Sequence, residues 1–179
     1  SRMNVEFKRI PAFGDKLTVT TWPTGARGLF SCRDFYMEDE SGDEVARATS
    51  AWLTINLEKR RVVRLPQKIL DVHPDPDKAE RMIIDNFKGK IAEPENAEVT
   101  RGFRADYSTL DVNSHVTSAV YIRWLLDALP FDFHVEKELV KFEINHKMEI
   151  LPGGAAEAEH LINGNEVVHT IRPAGGGPV

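Results

Sequence analysis

The chain has 179 residues and a mass of 20.2 kDa, and it is 41% hydrophobic and 28% charged, with a mean hydropathy of -0.35. That composition reads as a soluble globular protein of one domain or two small ones. Lys and Arg number 23 against 28 Asp and Glu, for a net charge of -5 and a pI near 5.7, which argues against nucleic acid as the main partner because phosphate binding needs a clustered positive surface. The single cysteine, Cys32, excludes an internal disulfide framework and fits a reducing compartment. No stretch approaches the roughly 20 apolar residues of a membrane span, and the opening residues Ser1-Arg2-Met3-Asn4-Val5 do not read as a signal peptide.

The first sixty-odd residues read as strands joined by turns. Residues 5–10 form a short run ending at Pro11, and Phe13-Gly14-Asp15 marks a turn. Residues 16–22 (KLTVTTW) are rich in β-branched side chains, which suit a pleated surface. Pro23-Thr24-Gly25 turns the chain into a strand over 29–38, and Ser41-Gly42-Asp43 turns it again into 44–57. Short connections between successive strands predict an antiparallel meander. Prolines 66, 74, 76 and 94 then punctuate a connecting segment, within which residues 77–91 have the pattern of a short amphipathic helix.

A second block begins near Thr100. Residues 101–107 read as a strand, followed by the polar run 108–115. Residues 116–129 (VTSAVYIRWLLDAL) have helical length and end at Pro130. Their apolar content on nearly every side predicts a helix buried on nearly every side, inside the wrap of a sheet. Residues 139–150 and 155–162 read as strands, and Asn163-Gly164 turns the chain into 166–172. A weak internal repeat links the two blocks: Gly14 and Gly153 stand 139 positions apart, as do Gly25 and Gly164, and at that offset residues 5–10 overlie 144–149. A repeat of this kind implies two copies of one helix-plus-sheet unit.

Most signatures of chemistry are absent: no phosphate-binding loop, no dinucleotide fingerprint and no nucleophile elbow. The six histidines lack zinc-ligand spacing, so no metal or cofactor is expected, and Cys32 sits mid-strand as a small buried residue. The informative run is Asp111-Val112-Asn113-Ser114-His115, just ahead of the apolar helix. In an extended segment its three polar residues at alternate positions share one side. The helix N-terminus beside them offers unpaired N–H groups suited to a developing oxyanion. An ordinary loop of Asx turns and caps explains the same residues, and from composition both readings stand open.

The run Tyr107-Ser108-Thr109-Leu110-Asp111-Val112-Asn113-Ser114-His115-Val116, followed by Tyr121-Ile122-Arg123-Trp124, resembles the signature of the acyl-acyl-carrier-protein (acyl-ACP) thioesterases of bacteria and plant plastids. Arg33-Asp34-Phe35, the stretch Ala46-Arg47-Ala48-Thr49-Ser50-Ala51-Trp52, and Asn56 with Arg60-Arg61 resemble further blocks of that family in the same order, so the likeness covers essentially the whole chain. The resemblance implies an α+β double hot-dog, two units each made of a helix wrapped by an antiparallel sheet. The expected division is a first unit over 1–65 on the substrate-pocket side, a linker over 66–99, and a catalytic second unit over 100–179.

The family's catalytic positions match Asp111, Asn113, His115 and, on the following strand, Glu149. By the repeat Glu149 overlies Ile10, so only the second unit carries an acid there. The sequence also departs from the family. Ile150 stands where plant enzymes carry a cysteine, Thr117-Ser118 replaces an asparagine pair, and Gly154 replaces a common acidic residue.

The implied reaction is thioester hydrolysis. His115 and Glu149 activate water, or Glu149 attacks the carbonyl; Asn113 orients the thioester or His115; Asp111 holds the loop; and N–H groups near residues 116–118 stabilise the oxyanion. The expected partner is acidic acyl carrier protein, met by Lys59, Arg60, Arg61, Arg64 and Lys68, with a solvated turn as the plain alternative for those cations. A homodimer stays open, and the expected location is a bacterial cytoplasm. Rival readings are a hot-dog acyl-CoA thioesterase, which shares the Tyr107, Asp111, His115, Tyr121 spacing, and a non-catalytic acyl-binding module. A hydratase of the same fold fits less well, because the gap from Asn113 to His115 is one residue short. At the 139-residue offset the first unit's helix falls before Ser1, and the second unit stops where the first continues through ARATSAWLTINL. The expectation is therefore a record lacking an N-terminal strand and helix and a C-terminal strand.

Overall fold

The computed structural model describes residues 1–56, 58–59, 61–72, 91–95, 97 and 99–175. They form an α+β double hot-dog of two antiparallel sheets, divided into two compact units that are not continuous in the chain. Residues 1–91 with 139–146 make the first unit, and residues 92–138 with 147–179 make the second.

In the first unit, β2 (Leu17–Arg27), β3 (Phe30–Asp39) and β4 (Glu44–Asn56) follow the predicted meander, while β1 (Arg2–Phe7) pairs with the far strand β4. The sheet order is β2-β3-β4-β1-β7, where β7 is Lys141–Asn145 and a short β5 (Arg61–Val63) pairs with β4. A four-residue helix α1 (Gln67–Leu70) follows β5. The central strand β4 is buried continuously over Ala48, Thr49, Ser50 and Ala51, because small side chains allow close cover of both faces. Trp22, Asp34, Thr49 and Asn4 are cross-strand neighbours in one row over four strands, and all are buried. Asp34 is 1% exposed and accepts the Thr49 hydroxyl at 2.7 Å. Cys32 is buried, as expected of a small core residue.

The strand over 141–145 is where the expected division differs from the observed pairing. The expected division puts it with the second unit, yet it hydrogen-bonds β1 from Arg2↔Asn145 to Glu6↔Lys141. In that ladder Asn4 faces Glu143, its own equivalent at the 139-residue offset. Gly14, Gly153 and Gly164 lie in turns, whereas the turn expected at 23–25 is a bulge inside β2, where Gly25 still pairs with Cys32; all four glycines have positive φ, a region open to residues without a Cβ. Of the segment 66–99, the first residues form α1. The helix expected over 77–91 lies outside the described residues except at Ile91.

The second unit has a sheet of order β6-β8-β9, with β6 at Val99–Arg104, β8 at Ala155–Asn163 and β9 at Glu166–Pro173. Its main helix α2 runs Ser118–Asp127, two residues later at its start and two shorter at its end than predicted; α3 (Phe131–Glu136) follows Pro130 and was not anticipated. The core joins Ala105, Val116, Val120, Trp124, Ile150 and Ala156, with Trp124 stacked on Phe103 at 5.1 Å. Helix α2 buries only the Val120 and Trp124 face, while Tyr121, Ile122, Leu125 and Leu126 are half-buried. The prediction of all-round burial is corrected here, since three described strands cover one side of a helix.

Candidate active site

The segment between β6 and α2 is folded by its own polar groups. Leu110 and Val116 form an isolated antiparallel bridge. It is flanked by Asp111 N–H to His115 O at 2.8 Å and Thr117 N–H to Thr109 O at 3.1 Å. Residues 111–115 hang from that two-rung neck. Inside it, Asp111 Oδ1 accepts the N–H groups of Asn113 (2.8 Å) and His115 (3.0 Å), and Ser114 N–H donates to Asp111 O at 3.0 Å. Ser114 takes φ +59°, a left-handed conformation uncommon outside glycine, and the chain reverses there.

The expected extended segment with Asp111, Asn113 and His115 along one side is thus not what forms. The Asp111 carboxylate turns inward, because a short acid accepting two N–H donors stabilises a turn over an extended chain. The His115 N–H is the main reason that its carboxyl is held below the usual carboxylate range, assisted by the Asn113 N–H and opposed by partial desolvation.

Glu149 reaches the same place from a second segment. After β7 ends at Asn145, residues 146–150 run outside any ladder. Ile150 is 5% exposed and anchors its side chain in the core. Its N–H donates to the Tyr121 hydroxyl on α2 at 3.0 Å. Gly153 N–H donates to Ala105 O at 2.8 Å and Ala105 N–H to Gly154 O at 2.9 Å, which ties the following turn to the end of β6. A Cβ on Gly154 would lie 2.8 Å from Leu151 O, so the acidic residue common at this position has no room in this turn.

The two segments meet at His115 Nε2 and Glu149 Oε2, 3.0 Å apart, with side chains 46% and 31% exposed, so solvent reaches the pair. Thr117 is the N-cap of α2, and its hydroxyl accepts Val120 N–H at 3.3 Å. Because Thr117 N–H is committed to Thr109, the helix offers the N–H groups of Ser118 and Ala119, ahead of its first intrahelical bond.

All four residues singled out from the sequence therefore lie in the second unit. His115 and Glu149 touch directly, and Asp111 holds the backbone of Asn113 and His115. The bond from Ile150 N–H to the Tyr121 hydroxyl is the contact beside these residues that sequence reasoning passed over. Tyr121 stood within the recognised spacing, but its bond to Ile150 depends on a fold contact 29 residues along the chain.

Among the described residues no group of three or more His, Cys, Asp or Glu is arranged to hold a metal ion. No helix among them is long and apolar enough to cross a membrane. Lys59, Arg61, Arg64 and Lys68 are exposed on the first unit, and Arg60 lies outside the described residues.

Residues 1–73 match the acyl-ACP thioesterase N-terminal domain family and residues 92–175 match the acyl-ACP thioesterase C-terminal domain family. A chloroplastic acyl-[acyl-carrier-protein] hydrolase of Cuphea viscosissima is 30% identical over 154 residues, 83% of this chain and 37% of the relative. A chloroplastic palmitoyl-acyl carrier protein thioesterase of Gossypium hirsutum is 31% identical over 157 residues, again 83% of this chain and 37% of its own length. The crystal structure of an acyl-ACP thioesterase from Bacteroides thetaiotaomicron superposes with a TM-score of 0.83 at 28% identity, covering 98% of this chain and 70% of that one. The chain thus spans well under half the length of these two curated relatives.

Proposed function

The chain belongs to the acyl-ACP thioesterase family, and from that premise we propose that it hydrolyses the thioester of fatty acyl-[acyl-carrier-protein] and releases free fatty acid, as a step of fatty acid biosynthesis. The observation that carries this reading is the solvent-reached contact of His115 Nε2 with Glu149 Oε2 at 3.0 Å. In this mechanism the pair takes a proton from a water molecule, whose oxygen attacks the thioester carbon. The C–S bond then breaks and the proton passes to the leaving thiolate. Asn113 orients the thioester against His115, and Asp111 fixes the loop that presents both. The Ser118 and Ala119 N–H groups supply the oxyanion donors. With Ile150 following Glu149, the route has no cysteine nucleophile at this position.

The named relatives supply the substrate class, acyl-ACP. Lys59, Arg61, Arg64 and Lys68 form the docking face for acidic carrier protein, with Arg60 beside them in the sequence. The bacterial cytoplasm is the compartment that suits a buried, lone cysteine. The decisive experiment compares hydrolysis of acyl-ACP substrates over a series of chain lengths, with acyl-CoA alongside, for the native protein, Glu149→Gln and His115→Ala. Each substitution is expected to lower kcat by about 10²- to 10⁴-fold, the usual scale for an acid–base group. Unchanged hydrolysis in both variants would sink the mechanism. Preference for acyl-CoA would reassign the substrate, and acyl chain retained without turnover would mark a binding module.

A further inference from the structure

We infer that Tyr121 is a positioning residue for Glu149, a role that rests on the acid–base reading of the His115–Glu149 pair. Glu149 lies on a segment with no strand pairing of its own, so the grip on its chain neighbours contributes to its placement. Ile150 is gripped twice, by its side chain in the core and by its N–H on the Tyr121 hydroxyl at 3.0 Å. The phenol is itself fixed. Tyr121 projects from α2 one residue beyond Val120, and its ring meets Trp124 edge-on at 5.8 Å. Trp124 is in turn stacked on Phe103 of β6. Burial pushes the Tyr121 hydroxyl above its ordinary pKa, with the Ile150 N–H opposing more weakly, so it accepts this bond as a neutral phenol.

One helix therefore governs both halves of the pair. Its N-cap Thr117 ties the His115 loop to Thr109 through the neck, and Tyr121 in its first turn holds the main chain immediately after Glu149. The 3.0 Å separation of Nε2 and Oε2 becomes a property of α2, and a displacement of a few tenths of an ångström at Ile150 is passed directly to the carboxylate.

Tyr121→Phe deletes the acceptor and keeps the ring in contact with Trp124. With acyl-ACP as substrate, the expected result is about a tenfold fall in kcat, the scale of one hydrogen bond, with KM within about twofold of native. The limbs of the kcat–pH profile should shift as well, because the His115–Glu149 separation changes. The deciding measurement is a double-mutant cycle with Glu149→Gln. If Tyr121 acts through Glu149, adding Tyr121→Phe to Glu149→Gln has no further effect. Multiplicative losses, a native kcat and pH profile in Tyr121→Phe, or a change confined to thermal stability would each overturn the inference. A Glu149→Gln variant with native activity would instead overturn the underlying acid–base reading, whatever Tyr121→Phe does.

Discussion

Asp111 spends its charge on the main chain of its own loop. Both N–H groups that it binds belong to residues of the proposed site, Asn113 and His115. Replacing it by asparagine keeps an acceptor oxygen and removes the charge, weakening bonds that are roughly twice as strong when ionised. Asp111→Asn is expected to lower kcat about tenfold at every pH between 5 and 8, measured by steady-state hydrolysis. No Asp111 limb should appear in the native pH profile over that range. Its folded pKa is depressed, so the stability it contributes is present above the ordinary carboxylate value of about 4 and is lost only as pH falls through the lower folded value. At this scale the sequence was readable in that residue type and short spacing marked Asp111, Asn113 and His115 as one group, and they do share one hydrogen-bonded loop. It was silent on the direction of the Asp111 side chain. The choice between extended chain and turn is made by hydrogen bonds that alternation does not encode.

Strands were legible as elements because turn chemistry and β-branched runs are local signals; β3, β4, β8 and β9 fall close to their expected bounds, while β2 runs on past Trp22 to Arg27 through the expected turn. The partner of β7 was not legible, since its alternating pattern fits either sheet and pairing with β1 is decided over long range. The β8–β9 hairpin carries a titratable feature of its own. His160 and His169 are cross-strand partners with ring centroids 5.8 Å apart, and His160 Nδ1 meets the Thr100 hydroxyl at 3.2 Å. Burial, helped by His160, pushes His169 down to about 4. Between that value and the ordinary 6.5 the unfolded chain binds more protons than the folded one, so stability falls as pH drops through this window. Urea denaturation from pH 7 to pH 4 is expected to show that loss. A His169→Phe variant should show a shallower dependence, and an identical slope would remove His169 as its source.

Across the whole molecule, the net charge of -5 bears on the proposed docking of an acidic carrier protein. On that proposal, association with carrier protein depends on local cations rather than the overall field. Reversing Arg61, Arg64 and Lys68 together to glutamate is expected to raise KM for acyl-ACP several-fold and to flatten its dependence on salt. The kcat at saturating substrate should stay near native, because these side chains belong to the first unit and the proposed site to the second. Steady-state kinetics from 20 to 300 mM salt reads both effects, and an unaltered salt slope would place docking elsewhere. The double hot-dog was legible at this scale from block order and from the 139-residue repeat, two signals that survive low identity.

The seating of β7 on β1 also sets an order of events during synthesis. Glu6 and Lys141, joined at 2.9 Å in the finished ladder, are separated by 135 residues of chain. As the polypeptide emerges, β1 can pair with β4 early, but its other edge stays open until residues 141–145 have left the ribosome. Closing so long a loop makes this a late and comparatively slow contact, during which an exposed strand edge is vulnerable to pairing with neighbouring chains. The folding of the first unit therefore waits on residues made after residues 92–138 of the second, and the two mature together rather than in sequence.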